Sequence, residues 1–339
     1  MRRCYISVLG VVSSLAVIML HINGCFWEFS IKPYWIIANI IESVMYFAVP
    51  VFFMLSGATL MDYRERYTTK EYFIKRIRKT LIPFVVWNLI GLVYEILRKR
   101  ILLETLSLVN VGEMILNTQI IGIYWFFIPL FSIYMVIPLF SAVPKEKRKE
   151  IFSYLAVGGF VLNCLFPFLA NTCNFSYNGG LMIKVVSEYL LYTIVGYLLS
   201  EYDLQKNRFI IYIAGICGLC IHAIGTYILS VDAGSVISTY KGYNNLPCVL
   251  YSVAIFVFLK EIVKRTEKHK MVQWIASFDK YTFSVYLMHY YLIDIMVALF
   301  DMDTTGIIYR LVSPFIIFVI CVLIAKIVRK IPFGKYLLP

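Results

Sequence analysis

Long apolar runs separated by short polar segments are the dominant pattern along this chain. A helix needs around 20 residues to cross roughly 30 Å of hydrocarbon, and a backbone in lipid must satisfy its own hydrogen bonds. We place the runs at 5–23, 36–60, 80–97, 122–143, 151–171, 182–200, 209–229, 246–263, 282–300 and 308–328. The pattern predicts an all-α, polytopic membrane protein of about ten transmembrane helices, which form a single domain over residues 1–339.

The apolar stretch 101–117 is an exception to this assignment. It carries Glu104 and Glu113, and charged groups inside a membrane span are costly. We therefore expect a short interfacial or re-entrant helix here rather than another span.

Composition supports the membrane class. Hydrophobic residues make up 60% of the 339 residues and charged residues 15%, whereas soluble domains have about 45–50% and about 25%. The net charge of +12 is explained by basic cytoplasmic loops, which membrane proteins share. We therefore expect membrane lipids as partners and no nucleic acid.

The distribution of lysine and arginine predicts an orientation. An even number of spans places both termini on the same side of the membrane. Most lysine and arginine residues then lie in the termini and loops on that side. The exceptions are Lys32, Arg98, Lys99, Arg100, Lys184, Lys241 and Arg310. By the positive-inside rule, both termini are predicted to be cytoplasmic (N-in and C-in).

His21 and Glu42 are the candidate catalytic residues. His21 lies near the outer end of the otherwise apolar first run, and Glu42 follows the next short loop at a similar predicted depth. Imidazole has a pKa of about 6.5, which suits proton transfer near pH 7. A carboxylate that accepts an imidazole N–H orients the ring of a general base. The structural alternatives are a histidine bonded to a neighbouring helix or wetted by solvent, and a carboxylate that caps a polar group.

The loop that follows the second run carries a candidate anion site. Thr68 and Glu71 match a capping box, which predicts a helix start. The basic residues that follow are Lys75, Arg76, Arg78 and Lys79. Such a cluster can bind anionic lipid headgroups or the phosphates of a nucleotide-containing donor, to which arginine offers bidentate contacts.

Aromatic residues collect near the predicted outer ends of the helices. Trp27, Trp35, Tyr124 and Trp125 fit an interfacial belt, but aromatic rings also stack on sugar faces, so we include them as candidate substrate-binding residues. His289, near the middle of the ninth run, is a further candidate polar contact for substrate.

Several segments together resemble the acyltransferase-3 family of integral membrane proteins. They are His21, AVPVFFMLSG (48–57), KRIRKTLIPFVVW (75–87), YWFFIPLFSIY (124–134) and FSVYLMHYYL (283–292). The family has about ten helices, and its members move acyl groups, usually acetyl, from a coenzyme A thioester to extracytoplasmic glycans. Many members carry an arginine eleven residues before the first-helix histidine, where this chain has Gly10.

The resemblance implies an acyl-CoA-dependent O-acyltransferase of a bacterial-type plasma membrane, with acetyl-CoA as donor and no metal. Lys75, Arg76 and Lys79 would bind the donor phosphates. His21 would take the proton of a hydroxyl on a glycan or cell-surface polysaccharide, and Glu42 would orient its ring. Three points stay open. They are whether the acyl group passes through an acyl-histidine intermediate, whether the donor carries succinyl instead of acetyl, and whether the protein is a homodimer or has another oligomeric state.

Two other classes of function fit the same pattern. A transporter or exporter of a glycan or lipid-linked precursor would have a similar number of spans and no covalent chemistry. Transporters often have inverted repeats with matching interrupted helices, whereas the proline-containing runs of this chain do not pair by halves. A lipid-binding scaffold is the third possibility.

Overall fold

The computed structural model describes residues 3–186, 188–203 and 208–339, apart from the side chain of Thr105. This part of the chain is helical and contains no strand, which confirms the all-α prediction. The helices are α1 (Cys4–Ile22), α2 (Pro33–Met45), α3 (Ala48–Leu60), α4 (Thr69–Arg76), α5 (Ile82–Leu97), α6 (Leu108–Leu116), α7 (Phe127–Ser141), α8 (Lys145–Gly159), α9 (Phe166–Cys173), α10 (Tyr189–Glu201), α11 (Arg208–Ala233), α12 (Leu246–Thr266), α13 (Lys270–Ala276), α14 (Thr282–Phe300), α15 (Ile307–Val328) and α16 (Gly334–Leu337).

Nine helical stretches among the described residues are long and apolar enough to cross a membrane. They are Cys4–Ile22, Pro33–Glu65, Thr69–Leu97, Gly122–Ser141, Lys145–Cys173, Arg208–Ala233, Leu246–Thr266, Lys270–Phe300 and Ile307–Val328. The protein is therefore a multi-pass membrane protein. The orientation of its termini stays a prediction.

Two predicted segments form helices that are too short to be membrane spans. The run at 182–200 forms the 13-residue helix α10, which at 1.5 Å per residue is about 20 Å long and too short to cross alone. Helix α10 starts after Glu188, whose φ is 52°; Ser187 lies outside the described residues. The stretch at 101–117 contains the nine-residue helix α6, which buries no side chain. It is a short helix and not a span, as predicted.

The chain divides into two compact units. Unit 1 comprises Met1–Met61 and Val143–Val322, and unit 2 comprises Asp62–Ala142 and Leu323–Pro339. The prediction of a single domain is not tested by this division of contacts and stays a prediction.

Unit 1 is built around a close contact between α3 and α10. A Cβ atom added to Gly57 would lie 1.8 Å from the carbonyl oxygen of Thr193, and one added to Gly196 would lie 2.1 Å from that of Met54. The two backbones thus touch directly, which only glycine permits at these positions. Helix α1 packs in the same unit and is buried along most of its length.

Unit 2 joins the predicted cationic loop to the last helix of the chain. Thr68 and Glu71 form both hydrogen bonds of a capping box at the start of α4, as predicted. Helix α4 continues through a π-helical turn (Ile77–Leu81) into α5. The Trp87 indole N–H donates to the carbonyl oxygen of Leu337 at 2.9 Å, so α16 is attached to α5.

Candidate functional site

The His21 ring lies in the last turn of α1, half-buried. Within the described part of the chain, neither of its imidazole nitrogens has a hydrogen-bond partner. Its ring contact is His289, with the two ring centroids 5.1 Å apart and the planes inclined by 39°. A partly exposed imidazole whose nitrogens are not occupied by the protein is available to accept a proton from a bound group.

His289 lies in the middle of α14 and is fully buried. Its Nδ1 lies 2.7 Å from the carbonyl oxygen of Tyr286. Because a carbonyl oxygen only accepts hydrogen bonds, Nδ1 carries the proton. The other ring nitrogen, Nε2, is buried and has no partner among the described residues.

Glu42 does not bond His21, so the predicted orienting contact is wrong. Its carboxylate forms an ion pair with Lys241, Nζ to Oε1 at 2.6 Å, and accepts a hydrogen bond from Asn23 Nδ2 at 3.4 Å. Only 4% of Glu42 and 6% of Lys241 is exposed. A buried ammonium needs a counter-ion, and Lys241 takes the carboxylate that we assigned to the histidine.

Lys241 lies between α11 and α12, outside the membrane-spanning segments. Its Nζ stands 3.6 Å from the ring centroid of Tyr46, 4.8 Å from that of Trp27 and 5.3 Å from that of Phe26. Burial lowers the pKa of this ammonium from the usual lysine value, and the Glu42 carboxylate opposes the shift. The aromatic faces and the carboxylate thus both stabilise the buried ammonium charge of Lys241.

Arg310, in the first turn of α15, completes the network and is fully buried. It donates to Asn23 Oδ1 at 3.4 Å, to the carbonyl oxygen of Tyr34 at 3.1 Å and to that of Thr305 at 2.9 Å. Asn23 also donates to the carbonyl oxygen of Ala38 at 2.8 Å. Because Asn23 follows His21 by two residues, these bonds fix the end of α1. We call Asn23, Glu42, Lys241 and Arg310 the buried polar network.

Sequence reasoning missed three members of this network, Asn23, Lys241 and Arg310. Two of them did leave a signal. Lys241 and Arg310 both depart from the positive-inside pattern, and a basic residue on the wrong side needs a local partner that explains its position.

Two of the predicted substrate-binding aromatics are core residues. Trp35 is fully buried, stacks on Phe26 with centroids 5.7 Å apart, and donates its indole N–H to the Phe26 carbonyl oxygen at 2.8 Å. Tyr124 is fully buried in unit 2. Neither ring has a free face for a sugar, so these two predictions are wrong. Trp27 is 57% exposed and Trp125 is half-buried.

A carboxylate occupies the space beside Gly10, where a larger side chain would lie. A Cβ atom added to Gly10 would lie 2.8 Å from Asp279 Oδ1, and Ser7 donates to the same carboxylate at 3.2 Å. A larger side chain at position 10 would therefore have to displace Asp279.

Unit 2 contains a cationic pocket, a cavity of about 410 Å³. Its lining residues are Lys75, Arg78, Lys79, Arg329, Lys335, Tyr336 and Pro339. Lys75 also stands over the Tyr67 ring, with Nζ 3.6 Å from the centroid. Five cationic side chains around one cavity favour a polyanionic ligand.

The pocket changes the predicted set of anion-binding residues. Lys75 and Lys79 do lie together, whereas Arg76 is not in the lining. The Arg76 guanidinium instead stands over Tyr134 and Tyr72, 5.4 and 5.8 Å from their ring centroids. Arg329 and Lys335 were missed, because only the fold brings the end of the chain to this loop.

Comparison with known proteins identifies the family. The family model Acyl_transf_3, described as an acyltransferase domain, matches residues 5–326. No curated protein and no solved structure gives a significant match. The matched range contains His21 and His289 in unit 1 and Lys75 and Lys79 in unit 2, and it favours acyl transfer over the transporter interpretation. Since it covers nearly the whole chain, the protein belongs to the acyltransferase-3 family and is a multi-pass membrane acyltransferase.

Proposed function

We propose that the protein is a plasma-membrane O-acyltransferase that moves an acyl group, acetyl first of all, from cytoplasmic acyl-CoA to a hydroxyl of an extracytoplasmic glycan. The observation that carries this proposal is the His21 ring, which is partly exposed and has no hydrogen-bond partner among the described residues. An imidazole in this condition is suited to act as a general base, and family membership names the reaction class.

The reaction then needs one proton acceptor. His21 takes the proton of the acceptor hydroxyl while the hydroxyl oxygen forms a bond to the thioester carbonyl carbon. The carbon–sulfur bond breaks, and the departing thiolate receives the proton from His21. The products are an ester and a free thiol, and His21 returns to its neutral form. In the alternative path, His21 attacks the thioester itself and carries the acyl group.

The cationic pocket supports a phosphate-rich donor. Coenzyme A carries several phosphate charges on its nucleotide end, and Lys75, Arg78 and Lys79 line one cavity. Lysine and arginine bind phosphate through charge-assisted hydrogen bonds. The donor site therefore rests on Lys75 and Lys79 rather than on Arg76.

The exposed face of Trp27 supports a sugar acceptor. The ring is 57% exposed and lies beside the buried polar network, 4.8 Å from Lys241 Nζ. A sugar stacked on Trp27 would lie on the same part of unit 1 as the end of α1.

The test uses purified protein in lipid nanodiscs with radiolabelled acetyl-CoA. We expect saturable binding, which Lys75→Gln/Lys79→Gln weakens. We expect His21→Gln to keep binding but to abolish acyl loss from the donor. If folded wild-type protein binds neither acetyl-CoA nor succinyl-CoA, the donor assignment is wrong. If His21→Gln turns over at the wild-type rate, His21 is not the base.

A further inference from the structure

The unpartnered nitrogen of His289 has no structural explanation. Buried polar atoms in proteins are almost always hydrogen-bonded, because an unmade bond is costly. Among the described residues, two histidine nitrogens break this rule: Nε2 of His222 and Nε2 of His289. His289 alone of the two has its ring against His21.

The proton position on His289 follows from its neighbours. Nδ1 faces the carbonyl oxygens of Tyr286 at 2.7 Å and Val285 at 3.2 Å. Both oxygens are acceptors, so the neutral ring carries its proton on Nδ1 and a lone pair on Nε2. Nε2 of His289 is therefore a buried hydrogen-bond acceptor.

The distance between the two rings suits a hydrogen bond. Their centroids are 5.1 Å apart, and each nitrogen lies about 1 Å from its ring centre, so two nitrogens that point at each other along the line of centroids would be about 3 Å apart, a hydrogen-bond distance. The bond forms if the half-buried His21 ring rotates so that one of its N–H groups points at His289 Nε2. Catalytic hydrogen bonds often tighten only when substrate binds.

We propose that His289 is the positioning residue for His21. Its Nε2 accepts one N–H of the His21 ring, and the other His21 nitrogen, with its lone pair, then faces the acceptor hydroxyl. The inference rests on the proposed role of His21 as base. It gives His289 the orienting task that Glu42 cannot perform, because Glu42 is paired with Lys241.

The same bond acts during the reaction. When His21 takes the hydroxyl proton it becomes an imidazolium, and its N–H bond to His289 Nε2 becomes charge-assisted and stronger. No proton passes to His289, whose own proton stays on Nδ1. His289 thus stabilises the charged intermediate state of His21.

The test compares His289→Phe, His289→Gln and His222→Phe in the nanodisc assay. Phenylalanine keeps a ring and removes the acceptor, whereas the glutamine side chain places an oxygen near the Nε2 position. We expect His289→Phe to lower kcat about 100-fold with little change in KM for acetyl-CoA. His289→Gln should recover most of that loss.

His222→Phe is the matched control. His222 is also buried in a spanning helix with an unpartnered Nε2, but its ring contacts Tyr46 at 5.0 Å between centroids. We expect its kcat to be that of the wild type. Each variant is first checked for a single gel-filtration peak and for acetyl-CoA binding. If His289→Phe does not fold, His289→Leu against His289→Gln makes the same comparison.

The outcomes separate this inference from the proposed function. If His21→Gln is inactive while His289→Phe is fully active, the positioning role is wrong and the base assignment stands. If His289→Phe and His289→Gln lower kcat equally while acetyl-CoA binding is kept, the role of His289 Nε2 as hydrogen-bond acceptor is wrong. If His21→Gln is active, the assignment of His21 as base fails first, and the positioning role of His289 fails with it.

Discussion

Two groups of basic residues in this protein have opposite surroundings. In unit 1, Lys241 and Arg310 are buried, and each is surrounded by partners from the protein itself. In unit 2, Lys75, Arg78 and Lys79 are exposed around a cavity of about 410 Å³. Both groups belong to a strongly basic chain, so charge alone does not distinguish them.

The difference lies in what neutralises the charge. The buried Lys241 has its counter-ion inside the fold, and the pair links elements that are distant in sequence, since Lys241 and Glu42 are 199 residues apart. The buried Arg310 donates to oxygens of Asn23, Tyr34 and Thr305. Exposed cations that share one cavity repel one another, and a bound polyanion would reduce that repulsion. We therefore expect changes in the buried polar network to affect folding, and changes in the cationic pocket to affect binding.

The largest expected effect comes from breaking the buried ion pair. Lys241→Met leaves the Glu42 carboxylate buried without a counter-ion, which typically costs about 3–5 kcal/mol of unfolding free energy. We expect a much lower unfolding temperature, measured by intrinsic fluorescence in detergent. The matched control is Lys335→Met in the cationic pocket, an exposed residue, which should change the unfolding free energy by less than about 0.5 kcal/mol.

A double variant shows whether the pair or the packing is responsible. Glu42→Gln/Lys241→Met removes both charges, so most of the lost stability should return. A double variant as unstable as Lys241→Met alone would show that the contacts of the lysine with Tyr46 and Trp27 matter more than its charge.

The fold was largely predictable because span length and apolarity are local properties. The runs at 5–23, 209–229 and 246–263 correspond to α1, α11 and α12. The length of the helix in the run at 182–200 was not predictable, because hydropathy carries no information about backbone conformation. The chain adopts a positive φ at Glu188, and α10 begins only after it.

The sequence indicates single candidate residues for the site, but it does not indicate which of them touch. His21 and Glu42 stand out as ionisable groups in apolar runs, and their depth follows from their position in each run. Which groups at similar depth touch depends on helix packing, and Glu42 meets Lys241 rather than His21. Core and interfacial aromatics are also alike in sequence, which is why Trp35 and Tyr124 were misassigned.

The second prediction addresses the ligand of the cationic pocket. Lys335 is exposed and lines the cavity, beyond the end of the family match at 326. Lys79→Gln/Lys335→Gln should weaken acetyl-CoA binding about tenfold, since each exposed ionic contact contributes about 0.2–1 kcal/mol. Filter binding at fixed low salt measures this change, and higher salt should reduce it. Lys330→Gln, exposed but outside the lining, is the control and should bind like the wild type.

Two further ligands distinguish the sources of phosphate. Dephospho-CoA lacks the 3′-phosphate; if the pocket holds that group, wild type prefers CoA and the double variant loses the preference. If the pocket instead holds a lipid headgroup, the double variant binds CoA normally and retains less anionic phospholipid during purification. The second result would move the donor site elsewhere.

The smallest expected effect concerns the helix that carries Lys75. The Thr68 hydroxyl accepts from the backbone N–H of Glu71 at 3.3 Å, and the Glu71 carboxylate accepts from that of Thr68 at 2.7 Å. Thr68→Ala removes the first bond, which is worth about 1 kcal/mol at a helix start. Because α4 is only eight residues long, its first turn should fray while the cationic pocket keeps every charge.

Acetyl-CoA binding should therefore weaken only a few-fold in Thr68→Ala, with the unfolding temperature of the whole protein nearly unchanged. Thr68→Ser keeps the cap and should restore wild-type affinity. Normal affinity in Thr68→Ala would mean that the pocket is held by the π-helical turn and α5 alone. A large loss of overall stability would contradict the contrast between the two units, since it would make the cationic loop as important for folding as the buried polar network.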